Sequence, residues 1–414
     1  MNMEDMRAKK GLLLNSQGAV TKVESGTYAV KSQTGIGVYK VENKVKWECT
    51  CPDHIKREQD CKHIYATKYY IGIEQVTDAG VETTKIPLTY KQAWTAYNQA
   101  QKEEVRLFDA LLKDLVGAIP EPVQVGAGRP RLSIRETLFC SIQKVYSQLS
   151  SRRAYSLFKN AIEKGQIAHA PHFNAPSKLL NNPDITSILR NLIHITAIPL
   201  ASIEKDFAPD STGFRTTSFG AYCEEKHGGK KEHKWLKAHI MSGIKTNIIT
   251  DAIITDGDGA DSPQFKPMVL NTAQSFDISE VSADKGYSSR ENHDVVGEVG
   301  GTAYIPFKDN ATGQAKGSPL WKKAFHFFKL HQEEFDEHYH KRSNVESTIS
   351  AVKKKFGECL KSKNHVAQVN ELLCKLIAYN ITVLIHEMFE NGINPDFLHL
   401  NSSPCTQITP KTSI

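Results

Sequence analysis

The sequence predicts an α/β protein in which a mixed β-sheet flanked by helices follows a helical region and a small metal-binding module. Two observations carry this expectation. Over 201–390, successive strand signals give way to alternating helix and strand and then to helices alone, the pattern of a sheet covered by helices. Near the N-terminus, three of the eight cysteines fall within thirteen residues, which favours a metal site in a reducing compartment over a disulfide framework. The chain has 414 residues, 40% of them apolar and 24% charged, which excludes a disordered or fibrous protein and allows several cores. Its net charge of +6 only weakly suggests a polyanionic partner.

Taken in order, 1–80 reads as a strand-rich module. Val23, Tyr28, Val30, Ile36, Val38, Val41 and Val45 alternate loosely around a turn at Thr34-Gly35, and a short helix begins near Lys62. Glu4 and Asp5 before the Leu triplet argue against a secretory signal. Within 81–125, Trp94, Tyr97, Val105, Phe108, Leu111, Leu112 and Leu115 fall largely on one helical face, stopped by Gly117 and Pro120. A linker containing Pro122, Gly126, Gly128 and Pro130 follows. The region 126–200 is helical and interrupted by Pro171, Pro176 and Pro183; it reads as a connector or as a DNA-binding region, without a clear helix-turn-helix.

In 201–390, strands are expected at 219–223, 235–241, 246–255, 276–282 and 302–306, and helices at 263–273, 289–299, 325–338, 344–356 and 366–388. Lys375, Asn380, His386 and Glu387 in the last, most apolar helix argue against a membrane span. A tail, 391–414, ends the chain.

Cys49, Cys51, Cys61 and His63 stand in the order C-x-C-x9-C-x-H. Thiolates and imidazole are zinc ligands, and a closed set of four leaves no open coordination position, so a single Zn2+ here is structural. In its ligands and its hairpin-then-helix setting, the stretch 25–70 resembles the SWIM zinc finger, a type associated with DNA or protein binding.

Among 46 acidic residues, three occupy suggestive places. Asp210 sits among small residues at a turn or strand end, Asp284 follows a run carrying Phe276, Ile278 and Val281, and Glu346 lies in a helix beginning near Asn344. Carboxylates on two strand ends and a helix can converge on hard divalent cations. Tyr339, Arg342, Glu346 and Lys353 form Y-x2-R-x3-E-x6-K, which puts the basic residues on the side of the helix that carries Glu346. Such cations suit a polyanionic substrate.

Five blocks in order extend these signals: Asp210-Ser-Thr-Gly-Phe214, Trp235-Leu-Lys-x-His239, Thr255-Asp-Gly-x3-Asp261-Ser-Pro-Gln-Phe265, Ala283-Asp-Lys-Gly-Tyr-Ser-Ser289, and Tyr339 to Glu346 with Lys353 and Phe356. In these blocks the stretch from Asp206 to Phe389 resembles the catalytic domain of the DDE transposases of bacterial and archaeal insertion sequences. The resemblance implies a ribonuclease-H-like fold in which Asp210, Asp284 and Glu346 hold two Mg2+ ions. It also implies cleavage of element ends and joining of 3′-hydroxyls to target DNA, with double-stranded DNA and a second copy of the chain as partners. A cytoplasmic, nucleoid-associated prokaryotic location follows. The 62 residues from Asp284 to Glu346 leave no room for the large β-rich insertion of some relatives.

Other residues have two readings. Arg342, Lys353, Lys285 and Tyr339 are expected at DNA, with Tyr287 beside them, and Arg129 and Arg131 form a basic turn suited to a minor groove. Asp261 and Ser262 read as an N-cap cluster, His239 as a packed histidine, and His326, His331, His338 and His340 as a solvated face. A non-catalytic DNA-binding protein derived from a transposase, and a nuclease without joining activity, are the competing functions.

Overall fold

The computed structural model describes residues 3–24, 26–32, 37–43, 46–70, 74–77, 80–83, 93–121, 132–216 and 235–397. The Thr34-Gly35 turn, the strand expected at 219–223, most of the proline- and glycine-rich linker, and Arg129 and Arg131 lie outside the described residues. The chain divides into two compact units, 1–92 and 93–414.

In the first unit, helix α1 (Met3–Ser16) precedes strands β1 (Val20–Glu24), β2 (Thr27–Lys31), β3 (Val38–Asn43) and β4 (Trp47–Cys49), which form an antiparallel sheet in chain order. Helices α2 (Pro52–Arg57) and α3 (Lys62–Tyr70) follow, then the antiparallel pair β5 (Glu74–Thr77) and β6 (Gly80–Thr83). Tyr28, Val30 and Val41 from the sheet bury against Leu14 of α1 and Ile64 of α3. The two helices approach so closely that a Cβ on Gly11 would stand 2.5 Å from Tyr65 Cβ, so position 11 admits only glycine without a shift.

The second unit begins with five helices: α4 (Trp94–Gly117), α5 (Ile134–Ser147), α6 (Ser151–Glu163), α7 (Ala175–Leu180) and α8 (Asp184–Ala197). Phe108, Leu111, Leu112 and Leu115 of α4 are buried as their spacing predicts, but Trp94 and Val105 from the same expected stripe face solvent. These helices share one apolar core with the sheet that follows.

That sheet contains β7 (Asp206–Arg215), β8 (Trp235–Gly243) and β9 (Ile249–Asp256), which run antiparallel. After helix α9 (Ser262–Thr272), strand β10 (Glu280–Ser282) pairs parallel to β7; after α10 (Arg290–Glu298), β11 (Thr302–Tyr304) pairs parallel to β10. The order β11-β10-β7-β8-β9 places the first strand in the middle, and this mixed sheet flanked by helices is ribonuclease-H-like. Helices α11 (Pro319–Leu330), α12 (Gln332–Tyr339), α13 (Ser343–Phe356) and α14 (His365–Glu390) complete the unit.

Several elements differ from the sequence reading for identifiable reasons. The residues around Asp210 form a ten-residue strand, not a turn, because Phe207 through Arg215 all pair with β8 despite Pro209 and Gly213. The strand expected at 276–282 keeps only its last three residues; Phe276 and Ile278 are buried through side-chain packing without joining the ladder. The single helix expected at 325–338 is two, separated at His331 (φ −129°, ψ 53°), and the first starts earlier because Ser318 Oγ accepts the Trp321 N–H with Pro319 in the first turn.

Helix α14 is long and apolar enough to cross a membrane, yet 83% of its apolar window is buried inside the protein, which makes it a core helix of this unit. Its buried charged and amide residues are hydrogen-bonded. Asn380 Nδ2 donates to Thr196 Oγ1 (2.9 Å) and Ile249 O (2.7 Å), while its Oδ1 accepts the Ile249 N–H (3.0 Å), tying α14 and α8 to β9. Lys375 Nζ donates to the carbonyls of Gly357 and Cys359, each at 3.0 Å. Arg190 of α8 grips the fully buried Asp251 of β9 through two bonds of 2.8 and 2.6 Å.

Candidate active site and metal centre

Strand pairing brings the first two acidic residues to one level. Asp206 pairs with Glu280 and Phe207 with Val281, an offset of 74 residues (280 − 206). Continuing that register sets Asp284 opposite Asp210, whose separation is also 74 (284 − 210). Asp284 lies two residues beyond β10 and caps the following turn, its Oδ1 accepting the Lys285 N–H at 2.7 Å. Asp210 is half-buried in mid-strand, with Oδ1 accepting the Ser211 N–H at 2.8 Å.

The third carboxylate arrives from α13. A 3-10 turn over His340–Arg342 runs directly into that helix, placing Arg342 one turn before Glu346. Arg342 Nη1 donates to Glu346 Oε1 at 2.9 Å, and Nη2 stands 3.8 Å from Asp210 Oδ2. A single guanidinium therefore bridges the strand and helix carboxylates. Burial raises the Asp210 pKa, and Glu346 and Asp284 push it the same way against the Ser211 N–H and Arg342. Burial also opposes the charge on Arg342, but Asp210, Tyr339, Asp284 and Glu346 outweigh it and hold the guanidinium above its ordinary range.

Residues 203–381 match the family model described as a transposase DDE domain, and no solved structure matches the chain. This stretch is a transposase DDE domain. Its class is that of the polynucleotidyl transferases.

Within the transposase domain, Tyr339 stacks on Phe335 (centroids 6.2 Å apart), and burial raises its pKa, with Asp284 and Glu346 adding to the shift. Lys353 reaches back to β7, with Nζ 5.4 Å from the centre of the Phe214 ring. Lys285 turns to the exposed Asp309 at 2.8 Å. Tyr287 is buried against Phe265, so it packs and does not present itself to a phosphate. His239 is buried, with Nε2 2.9 Å from Thr255 Oγ1, the packed histidine expected from sequence.

Asp261 occupies the N-cap position of α9, but its side chain makes no cap hydrogen bond. It lies instead 2.7 Å from Lys237 Nζ and 3.1 Å from His239 Nδ1. Burial raises its pKa, but Lys237, Ser211 and His239 together outweigh that and hold it below the usual carboxylate range. The ion pair between β8 and the start of α9 is the role that a capping pattern could not reveal.

The donor chemistry near Asp210 fits hard divalent cations. Three carboxylates face one locality, and the guanidinium there shows that they already attract a cation. They are spread more widely than a single-ion cluster: among the described residues, the one group of three or more potential ligands within 4.8 Å of one another is elsewhere.

That compact group is Cys49, Cys51, Cys61 and His63, all buried. Cys49 ends β4, Cys51 caps α2 by accepting the His54 N–H, Cys61 directly precedes α3, and His63 lies in its first turn. His63 Nδ1 stands 3.9 Å from Cys49 Sγ and 3.8 Å from Cys61 Sγ. Tetrahedral zinc places sulfur and nitrogen ligands about 3.6 Å apart, so the cluster fits that ion. The electrostatics agree: the Cys49 thiol's hydrogen bond pulls Cys61 down, whereas Cys49 is pushed up by the Cys61 thiolate and Cys51 by burial. Several thiolates share this space comfortably only around a cation.

Proposed function

We propose that the chain is the transposase of a prokaryotic insertion sequence: it cuts the element's ends and joins the freed 3′-hydroxyls to target DNA. The observation that carries this reading is the bridging of Asp210 and Glu346 by Arg342 within the transposase DDE domain, and the strand register that sets Asp284 level with Asp210 supports it. In this reading the three carboxylates hold two Mg2+ ions, which when bound activate the attacking oxygen and stabilise the leaving 3′ oxygen.

The protein's own groups bind and orient the DNA. Arg342 lies between two of the carboxylates, where it can take a phosphate of the strand being cut and offset repulsion between DNA and the acidic site. Lys353 extends the positive flank along the same strand, while Lys285, Tyr339, Arg129 and Arg131 make outlying contacts. We read the Cys/His module in 1–80 as a SWIM-type finger whose single Zn2+ is structural and whose surface contacts DNA or protein. The helices of 126–200 would add DNA contacts beside the catalytic region, 201–390. A homodimer holding two element ends, acting on the nucleoid in the cytoplasm, completes the reading.

The test uses the full chain and DNA carrying the ends of its own element. Asp210→Ala and Glu346→Ala should each abolish Mg2+-dependent nicking and joining while leaving end binding intact. Joining by either variant at the wild-type rate overturns the assignment. Binding without nicking by the wild type points to the non-catalytic descendant, and nicking without joining of a pre-cleaved end points to a nuclease.

A further inference from the structure

The second unit contains a cavity of about 520 Å3 between the end of α5, the start of α6, α7 and the segment joining α13 to α14. Four lysines line it, Lys144, Lys361, Lys363 and Lys375, against one carboxylate, Glu371. Glu371 is already occupied by the backbone, with Oε1 accepting the Lys361 N–H at 2.9 Å and Oε2 the Ser362 N–H at 2.7 Å.

Among the described residues none of the four lysines forms an ion pair, although the charge of Glu371 acts on Lys144 and Lys375. Lys375 bonds to two carbonyls, Lys144 to Ser177 Oγ at 3.3 Å and Lys361 to the Gln148 carbonyl at 2.6 Å, while Lys363 has no partner among the described residues. Three other half-buried lysines of the unit sit in carboxylate pairs: Lys341 with Asp206 and Glu280, Lys355 with Glu104, Lys237 with Asp261. Burial holds Lys144 and Lys375 below the ordinary lysine range, so the folded chain bears a cost that an anion in the cavity would relieve. Two long helices also begin at its wall, α6 at Ser151 and α14 after Asn364, and neither N-cap side chain satisfies its helix's free N–H groups.

The cavity and the acidic site lie toward opposite ends of β7. Asp210, Thr212 and Phe214 share one face of that strand, and four residues span about 13 Å. At the far end, the buried Phe214 ring has Lys353 Nζ 5.4 Å and Lys375 Nζ 5.9 Å from its centre, and the second of these lysines lines the cavity.

We propose that this lysine cavity is a phosphate-binding site for the backbone of the DNA on which the catalytic carboxylates act. The proposal rests on the reading of the acidic site as a DNA-cleaving centre.

The test compares full-length wild type with Lys361→Ala/Lys363→Ala, using a labelled duplex of about 40 base pairs and anisotropy between about 50 and 200 mM salt. The double variant should bind about tenfold more weakly at the lower salt, with a salt slope smaller by about two. Lys363→Glu alone, at a side chain with no partner to lose, should weaken binding in the same direction if the double variant misfolds. Unchanged binding by both variants overturns the proposal, as does an equal loss in Lys322→Ala/Lys323→Ala, which removes the same charge from exposed positions on α11. A cavity that serves free phosphates instead would give wild-type DNA slopes, together with thermal stabilisation of the wild type alone by pyrophosphate, and that result also rejects the DNA strand. Nicking by the wild type is scored separately. Its absence with the slope change intact defeats the catalytic reading and spares the phosphate site; its presence without a slope change does the reverse.

Discussion

His293 provides a test of how the segment after Asp284 is held. It lies in α10, stacked on Phe307 at 5.2 Å and edge-on to Trp321 at 5.3 Å, with Nε2 buried and unpaired among the described residues. Burial pushes its pKa from 6.5 down to about 4. Because the folded value lies below the unfolded one, the neutral ring's contribution is complete above about pH 6.5 and disappears as pH falls through about 4. At 1.36 kcal/mol per unit, the full gap corresponds to about 3 kcal/mol, of which about 2 kcal/mol should be gone by pH 5. Urea unfolding followed by tryptophan fluorescence at about pH 7.5 and pH 5 measures it, because Trp321 touches the ring. Carboxylates and other histidines titrate in this range too, so the quantity that matters is the difference between wild type and His293→Leu. The variant should lose about 2 kcal/mol less than the wild type on acidification. Equal losses in the two proteins would refute the argument that His293 is buried as the neutral base.

Four further outcomes follow from the packing and the sites. Asp251→Asn, by stranding the buried end of Arg190, should cost about 3–5 kcal/mol in urea unfolding, and Arg190→Met/Asp251→Leu should recover much of it. Cys49→Ala, or chelation of the wild type, should abolish zinc binding measured by mass spectrometry and lower the circular dichroism contributed by the first unit. Gly11→Ala should lower the stability of that unit by about 1–3 kcal/mol, read from its melting, because the new methyl meets Tyr65 Cβ. Arg342→Gln should reduce the Mg2+ concentration needed for half-maximal nicking, because a competing cation is gone, while weakening DNA binding severalfold; a raised Mg2+ requirement would show that the arginine supports the carboxylates and does not compete for them.

What could be read from sequence depended on whether the signal was local. The helix carrying Glu346 was legible because Arg342, Glu346 and Lys353 repeat at helical spacing, and α13 begins within a residue of the expected position. The cysteine ligands were legible because all four lie within fifteen residues and their chemistry is specific. Strand β7 was hidden: Pro209 and Gly213 are poor strand residues, and only nine consecutive pairs with β8, distant in sequence, hold them extended. The break at His331 was hidden for the opposite reason, since the aromatic residues on either side continue one helical pattern and Phe328 and Phe335 pack together across it (centroids 4.9 Å). The lysine cavity had no signature at all, because Lys144, Lys361, Lys363 and Lys375 come together only when α5 packs beside α14.

The three carboxylates do not contribute equally to the precision of the site. Asp210 is fixed by a strand laddered on both sides at its base, by its bond to the Ser211 N–H and by partial burial, so its position follows the sheet. Glu346 is 58% exposed on a helix and is held to the strand through Arg342 alone among the contacts its carboxylate makes with the described residues. Asp284 belongs to a turn beyond the end of a three-residue strand. In the proposed reading, a cation entering this site would therefore meet one rigid ligand and two adjustable ones. The rigid ligand also shares its strand face with Phe214, and hence with Lys353 and Lys375. In the proposed reading, a DNA strand reaching the site would be registered against Asp210 first, with Glu346 and Asp284 adjusting to it, so that strand β7 sets which bond lies at the site.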